Sequence, residues 1–471
     1  MGNGEHSDRG PSSDRWMLPF FAGVLAGAAG LVLARALAPR RGLDLRLLKG
    51  PEGLPAPPVV VVPGILGSEL LRPDGTHVWL NLGNAFGSHE LAPAFDGTYD
   101  IDDGLRPGAL LGAEAVLPRL FGFAEYADLL DLLHEAGFAP LGGGAPPVRH
   151  VFAYDWRQDL AASARRLGQE LDELAEALGD PTVRFNLVGH SMGGLVARHY
   201  LRYGGEEPRP LGPVTWAGAR RIQSLLLVAT PNGGSIPSLD AILNGNRVGL
   251  STTTLAAPVI SRMPSIYHLL PPRGVPALVD HRLEPLDADL HDVQTWRRFG
   301  WGPFRPSPTR RGNEMAETAA ERERHQEFVA TALGRVRAFH EALSRQPTSP
   351  CPTRVILLGG DCLPTPARAL VPERPGVSPR FEPFSRREAH ALYDAGDGRV
   401  TRASVLGSHL PGAREDENGC GLPEVSQAFF GAADHHGIYG EPTFQSLLMR
   451  TLLRPVRPRS STPDKPIPGN P

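Results

Sequence analysis

The chain has 471 residues, enough for one large domain or two smaller ones, and a formal net charge of −3. This balance excludes the strong attraction to nucleic acid that a basic protein would have. The three cysteines, Cys351, Cys362 and Cys420, match neither a metal-site spacing nor a disulfide framework, and one disulfide with one free thiol stays open.

The first 50 residues predict a polar segment followed by a membrane anchor. Residues 1–15 are polar and typical of disorder, whereas Trp16 to Leu33 contains no charged residue. A cleaved secretory signal fits less well, because Pro39 directly follows the candidate cleavage site, and a buried soluble helix fits least. We therefore expect a single uncleaved anchor at about residues 16–38. The basic residues after it favour a cytoplasmic main domain, with a secreted domain as the alternative.

Beyond a proline-rich linker, apolar runs alternate with helical patterns. Continuous apolar runs predict buried strands at residues 59–62, 151–154, 183–188, 224–229 and 354–358. Apolar residues at helical spacing predict helices at residues 126–136, 160–178, 195–201 and about 313–344. This alternation favours an α/β fold, with a mostly parallel sheet and helices on both faces.

Residues 235–350 interrupt the alternation with proline-rich turns. This segment carries the aromatic side chains Trp296, Phe299, Trp301 and Phe304. They are either exposed on a cap beside a lipid surface or form the small core of that cap, which is the more common fate of such residues. We expect one domain over residues 51–454, with cap insertions at about 68–122 and 235–350. Residues 455–471 form a proline-rich tail that is typical of disorder.

The predicted strand at 183–188 leads into the sequence Gly189-His190-Ser191-Met192-Gly193, a G-x-S-x-G pentapeptide followed by Gly194. A strand, a sharp glycine-flanked turn and a helix are the context of a nucleophile elbow, in which the serine is exposed at the end of the sheet. The glycines leave room around the serine, and the helix directs its N-terminal amides at the reaction centre. A chance match is the alternative, but this context favours catalysis.

A serine hydroxyl becomes an effective nucleophile when a positioned base removes its proton. Hydrolases of the α/β-hydrolase fold supply the required groups in the chain order serine, acid, histidine. Ser191, Asp397 and His435 follow this order, and Asp394 is the second choice for the acid. His435 and His436 are adjacent, and only one of them can face the serine. We prefer His435 because Ile438, Pro442 and Phe444 follow it at three, seven and nine residues, a start of the last helix that is typical of catalytic histidine loops in these hydrolases.

The negative charge that develops on the substrate oxygen also needs hydrogen-bond donors. We expect the backbone amides of Ile65, after the first strand, and Met192, after the serine, to supply them. The adjacent histidines lack a third ligand for a metal ion, and no motif predicts a cofactor.

These motifs resemble the lecithin:cholesterol acyltransferase-like family of α/β-hydrolases, which includes lysosomal phospholipase A2 and phospholipid:diacylglycerol acyltransferase. The resemblance spans about residues 59–445, and Tyr154-Asp155-Trp156-Arg157 is its most specific element. The segments that carry it are residues 59–68, 78–80, 104–105, 121–123, 154–157, 189–194, 396–400 and the His435 loop.

The resemblance implies an acyl-enzyme that takes an acyl group from a lipid ester, often a phospholipid, and passes it to water or an alcohol. In that scheme Ser191 is the nucleophile, Asp397 the orienting acid and His435 the base, and the amides of Ile65 and Met192 bind the oxyanion.

Two features depart from the family. Residues 64–120 contain no cysteine, although many members have a cysteine-bridged loop there, and Arg399 replaces the threonine of the usual Gly-Asp-Gly-Thr-Val. We expect a membrane-associated lipid acyltransferase or acyl hydrolase whose partners are a lipid ester and the membrane surface. The alternatives are a lipase or carboxylesterase for shorter esters and a non-catalytic, membrane-anchored protein of the same fold.

Overall fold

The computed structural model describes residues 56–79, 91–93, 99–110, 125–142, 147–206, 212–247, 254–306, 318–413 and 419–453. The chain divides into two units, Met1–Asp44 and Leu45–Pro471, and every described residue belongs to the second. The predicted anchor at about 16–38 and the predicted tail at 455–471 lie outside the described residues. Within the described ranges, the helices lack the length and apolar character that crossing a bilayer requires.

Strands and helices are numbered along the chain. The described strands are β1 (Val59–Val62), β2 (Ser68–Leu71), β3 (His77–Trp79), β4 (Arg106–Leu110), β5 (Ala139–Pro140), β6 (Val148–Val151), β7 (Phe185–His190), β8 (Ile222–Val228), β9 (Asn246–Arg247), β10 (Thr254–Leu255), β11 (Leu278–Val279), β12 (Arg354–Gly360), β13 (Leu363–Pro366), β14 (Ala369–Leu370), β15 (Tyr393–Gly396) and β16 (Val425–Gly431). The described α-helices are α1 (Glu125–Glu135), α2 (Leu160–Ala177), α3 (Met192–Tyr203), α4 (Ile236–Asn244), α5 (Ala257–Ile260), α6 (Pro264–Tyr267), α7 (Val293–Phe299), α8 (Ala319–Ser344), α9 (Arg386–Leu392), α10 (Arg402–Leu406) and α11 (Pro442–Leu452). Short 3₁₀ helices cover Ala217–Arg220, Gly302–Phe304 and Ile438–Gly440.

A seven-stranded sheet forms the centre of the fold, in the order β16-β12-β8-β7-β1-β6-β5. Each neighbouring pair in it is parallel. The chain builds β5 and β6 on one side of β1 and then crosses to β7 on the other side. The carboxyl ends of the strands at such a crossover are where open α/β sheets bind ligands.

Helices cover both faces of this sheet. Because side chains alternate along a strand, Leu227 and Leu357 pack into the core that contains α2 and α3. Their neighbours Val228 and Leu358 point the other way and line a small cavity with Phe444 of α11. The parallel sheet with helices on both faces confirms the predicted α/β-hydrolase fold.

Hydrogen bonds that involve the buried Asp159 and Arg198 side chains connect the 235–350 segment to the sheet helices. Asp159 caps the N-terminus of α2 and also contacts His268, at 3.2 Å, and Arg335 of α8, at 3.3 Å. Near the C-terminus of α8, Arg198 of α3 donates a hydrogen bond to the carbonyl oxygen of Leu343. These contacts hold the segment against the edge at which the strands end.

The structure decides between the two expectations for the aromatic residues of the 235–350 segment. Trp296 and Trp301 are 0% and 1% exposed and pack edge to face, so they belong to a core of this segment and not to an exposed surface. Phe299 and Phe304 are half-buried. The strand expected at 151–154 is β6, which ends at Val151. The three cysteines all lie among the described residues and form no disulfide.

Candidate active site

Ser191 lies in a sharp turn between β7 and α3. Its φ of 51° and ψ of −125° fall in a region that non-glycine residues rarely adopt, and its N–H is held by the carbonyl of Val228. A side chain at Gly193 would overlap the carbonyl oxygen of Val62, and one at Gly194 would overlap Thr230. The glycines are therefore required because α3 approaches the ends of β1 and β8 closely.

His435 lies between Ser191 and Asp397. Its Nε2 is 3.0 Å from the Ser191 Oγ, and its Nδ1 is 2.8 Å from the Asp397 Oδ2. The His435 N–H also donates to the Asp397 carbonyl at 3.0 Å. The structure thus brings together the three side chains that the sequence predicts as serine, histidine and acid.

Asp397 is buried, and its second oxygen accepts hydrogen bonds from the N–H groups of Arg399, at 2.9 Å, and Val400, at 2.7 Å. Burial raises the pKa of Asp397, but the charge and hydrogen bond of His435 and these two amides outweigh it. The net pKa is therefore lowered, and the group stays a carboxylate at neutral pH.

The second-choice residues lie elsewhere. Asp394 is exposed on β15 and pairs with Arg368 at 3.1 Å. His436 is exposed, and its backbone N–H donates to the Asp434 carboxylate at 3.0 Å. Neither occupies the position between the serine and the buried carboxylate.

The two predicted oxyanion donors lie on either side of Ser191. Met192 is the first residue of α3, so its N–H has no carbonyl partner within the helix. Gly64 and Ile65 belong to the loop after β1 and line the same cavity as Ser191. A Cβ at Gly64 would lie 3.0 Å from the Ser191 Cβ, which shows how closely this loop passes the serine.

A buried chain of hydrogen bonds connects this loop to the histidine. The Gly64 N–H donates to the Tyr126 hydroxyl at 2.8 Å, and that hydroxyl lies 2.9 Å from the His190 Nδ1. The His190 Nε2 lies 3.2 Å from the His435 carbonyl oxygen. Burial, followed by the nearby charges of His435 and His436, lowers the pKa of His190 well below its usual value. His190 is therefore neutral, accepts from Tyr126 and donates to His435.

The Tyr154-Asp155-Trp156-Arg157 motif supports the same loop. The Tyr154 hydroxyl donates to the Pro63 carbonyl at 2.9 Å, and the Trp156 indole N–H donates to the Ser68 carbonyl at 3.0 Å. The buried Arg157 pairs with Asp155 within the motif, at 2.7 Å. The motif thus fixes both ends of the loop that carries the predicted oxyanion amide.

A cavity of about 370 Å³ opens beside Ser191 and His435. Its walls are mainly apolar, and α4, α5, α6 and the connections between them supply more than half of the apolar residues named below. The apolar lining includes Ile65, Leu66, Trp156, Pro237, Ala241, Leu255, Ile260, Met263, Ile266 and Leu269. Among the described residues, no group of three or more acidic, histidine or cysteine side chains could hold a metal ion.

Residues 124–301 match the family model described as Lecithin:cholesterol acyltransferase. The predicted resemblance to that family is confirmed. The matched segment includes Ser191 and the 154–157 motif, whereas Asp397 and His435 lie beyond it. The lecithin:cholesterol acyltransferase similarity thus covers the elbow and part of the 235–350 segment.

Other similarities are more distant. An uncharacterized protein of Saccharomyces cerevisiae is 28% identical over 154 residues, which are 32% of this chain, and the match spans only 21% of the yeast protein. The Tle4–Tli4 complex structure contains a chain that is 15% identical with a TM-score of 0.47, covering 84% of this chain and 98% of that one. The mature lipase BlEst2 of Bacillus licheniformis is 12% identical with a TM-score of 0.36, covering 86% and 96% of the two chains.

The predicted catalytic side chains were found from motif order. Tyr126 was not singled out, since nothing in the sequence connects one tyrosine with an elbow 64 residues away. Arg399, which departs from the family pattern, is one of the residues that line the cavity.

Proposed function

We propose that the protein is a serine-dependent lipid acyl hydrolase or acyltransferase. The observation that carries this proposal is the hydrogen-bonded series of Ser191, His435 and Asp397 at the mouth of a largely apolar cavity. The similarity of residues 124–301 to lecithin:cholesterol acyltransferases supports an acyl-transferring reaction.

In the first half of the reaction, the Ser191 Oγ attacks the carbonyl carbon of the ester while its proton passes to the His435 Nε2. Asp397 accepts the hydrogen bond from the His435 Nδ1 and stabilises the imidazolium that forms. The amides of Ile65 and Met192 bind the oxyanion. When the tetrahedral intermediate collapses, the ester bond breaks and the leaving alcohol takes the proton from His435, which leaves the acyl group on Ser191.

In the second half, His435 removes a proton from water or from an acceptor alcohol, whose oxygen attacks the acyl-enzyme. The acyl group leaves as a fatty acid or a new ester, and the proton returns to Ser191. Water and alcohol compete at the same step, so the exclusion of water decides between hydrolysis and transfer.

The substrate class follows from the cavity. Its aliphatic walls favour an acyl chain, because burying apolar surface releases about 25 cal/mol for each Å². The uncharged segment at 16–33 would hold such a site beside a lipid surface, so we propose membrane association through this segment. Replacing residues 16–33 with a polar linker should then abolish vesicle binding, and binding that persists would contradict the anchor.

Fluorophosphonate labelling and lipid turnover test the proposal together. Wild type, Ser191→Ala, His435→Ala and His436→Ala are compared for labelling and for hydrolysis of a phospholipid in vesicles. We expect Ser191→Ala to lose labelling, and both Ser191→Ala and His435→Ala to lose turnover by at least about a thousandfold. His436→Ala is the matched control, because the His436 imidazole is adjacent to His435 in the chain but does not belong to the hydrogen-bonded series of Ser191, His435 and Asp397.

Incubating the protein with a labelled acyl donor, with and without an acceptor alcohol, distinguishes hydrolysis from acyl transfer. A new ester supports transfer, and free fatty acid alone supports hydrolysis. Labelling of Ser191 with turnover confined to short soluble esters would favour a carboxylesterase instead. The absence of labelling in folded protein would refute catalysis by Ser191.

A further inference from the structure

Arg399 lines the cavity beside Ser191 and His435. Its backbone is fixed on both sides, because its N–H donates to the Asp397 carboxylate and its carbonyl accepts from the Ser235 hydroxyl at 2.8 Å. The side chain is exposed. A short, anchored loop therefore places Arg399 in the lining of a largely apolar cavity with its side chain exposed to solvent.

This guanidinium has no acidic partner in the described part of the chain. The ion pairs found there do not include Arg399, although nearby Arg368 and Arg402 pair with Asp394 and Asp361. The described residues that line the cavity include no aspartate or glutamate. Arg399 thus contributes a positive charge to the lining of a cavity whose walls are mainly apolar.

A cation in the lining of a largely apolar cavity is complementary to an ester that has an acyl chain at one end and an anionic group at the other. Arginine suits phosphate in particular, because its planar N–H groups bind two oxygens at once. We propose that Arg399 binds the phosphodiester of the acyl donor and thereby selects glycerophospholipids over uncharged glycerides. This inference rests on the proposed function and assigns a specificity role to one residue of that site.

The test compares donor preference in wild type, Arg399→Gln and Arg399→Lys. The donors are phosphatidylglycerol and diacylglycerol with the same acyl chains, each diluted in the same nonionic detergent micelles so that the surface is constant. The readout is the ratio of kcat/KM for the two donors. Because this ratio is taken within one variant, it does not depend on the fraction of protein that is folded.

We expect Arg399→Gln to lower the preference for phosphatidylglycerol roughly three- to tenfold, since an exposed charge is partly screened by solvent. Arg399→Lys should keep part of the preference, and added salt should reduce the wild-type ratio toward that of Arg399→Gln. Arg273→Gln is the matched control, because Arg273 is also exposed but does not line the cavity.

A third donor, phosphatidylcholine, tests whether Arg399 recognises the phosphodiester or the net charge of the lipid. Phosphatidylcholine has the same phosphodiester without net charge, so a phosphate contact predicts that Arg399→Gln lowers its preference over diacylglycerol as well. A ratio that is equal in wild type and Arg399→Gln would overturn the assignment while leaving the proposed function intact. If wild type turns over none of the three lipids, both the assignment and the proposed function fail.

Discussion

The hydroxyl of Tyr126 offers a sharp test of how the site is held together. It is buried, accepts from the Gly64 N–H at 2.8 Å and donates to the His190 Nδ1 over 2.9 Å. Tyr126→Phe keeps the ring but leaves both partners buried without that hydroxyl. Since each of the two unsatisfied buried groups costs about 1–3 kcal/mol, we expect the free energy of unfolding to fall by about 2–6 kcal/mol.

The same change should slow catalysis more than it weakens binding. Gly64 precedes the predicted oxyanion donor Ile65, and His190 contacts the carbonyl of His435, so both groups shift when Tyr126 loses its hydroxyl. A small displacement of reacting groups costs up to about a hundredfold in rate, and we expect kcat to fall about ten- to hundredfold with little change in KM.

Tyr200 supplies the matched control. It is also fully buried, but among the described residues its hydroxyl has no hydrogen-bond partner. Tyr200→Phe should therefore be neutral or slightly stabilising. Urea unfolding and hydrolysis of a soluble ester measure both variants. Equal stability and equal kcat in Tyr126→Phe and Tyr200→Phe would refute the reasoning.

A double-mutant cycle adds a second check, because the Tyr126 hydroxyl is argued to act partly through His190. In a His190→Leu background, Tyr126→Phe should cost less than in wild type, since one of its two partners is already absent. Fully additive losses would show that the two side chains act independently.

Further predictions follow from the surroundings of two glycines, a buried carboxylate and a buried histidine. Gly193→Ala should disrupt the elbow and abolish activity, because its Cβ would overlap the Val62 carbonyl. Gly334→Ala is the contrasting variant, because Gly334 has an open position on α8. It should raise the free energy of unfolding by about 0.5–1 kcal/mol in a urea titration. Glu424→Gln should lower the free energy of unfolding by about 3–5 kcal/mol, because Glu424 is the buried carboxylate that pairs with two buried arginines of α3. Burial lowers the pKa of His199 to about 3, so below pH 6.5 the unfolded chain binds a proton that the folded protein does not, and stability falls with acid. His199→Leu should flatten the slope of unfolding free energy against pH by about 1.4 kcal/mol per unit between pH 6 and 4, and an unchanged slope would contradict this.

The inner strands could be predicted because they are buried on both faces. Every position of β1 is apolar, and β8 and β12 begin within about two residues of the predicted limits. β16 was missed for the opposite physical reason. It is an edge strand whose sequence, Val425 to Gly431, mixes polar and apolar residues, and most of its positions are only half-buried. Such a stretch has neither the continuous nor the alternating pattern that identifies a strand.

In the candidate site too, the sequence predicts some features and only the fold shows others. Chain order was enough to predict Ser191, Asp397 and His435 as a group. The choice between His435 and His436 depends on which way two adjacent side chains point, and that direction is set by the His435 N–H bonding to the Asp397 carbonyl. The residues after His435 favoured the correct histidine, but the contact between His435 and Asp397, which lie 38 positions apart, becomes visible only in the fold.

The burial of Trp296 and Trp301 changes where lipid specificity should be sought. As exposed aromatics they would have suggested a surface that contacts the bilayer, but the Trp296 indole N–H donates to the Leu290 carbonyl inside the 235–350 segment. The aromatic pair therefore stabilises this segment, while its aliphatic residues, such as Ile260 and Met263, face the chamber beside Ser191. The length and shape of the acyl chain should thus be decided by α5 and α6, and the head group by the part of the lining that carries Arg399.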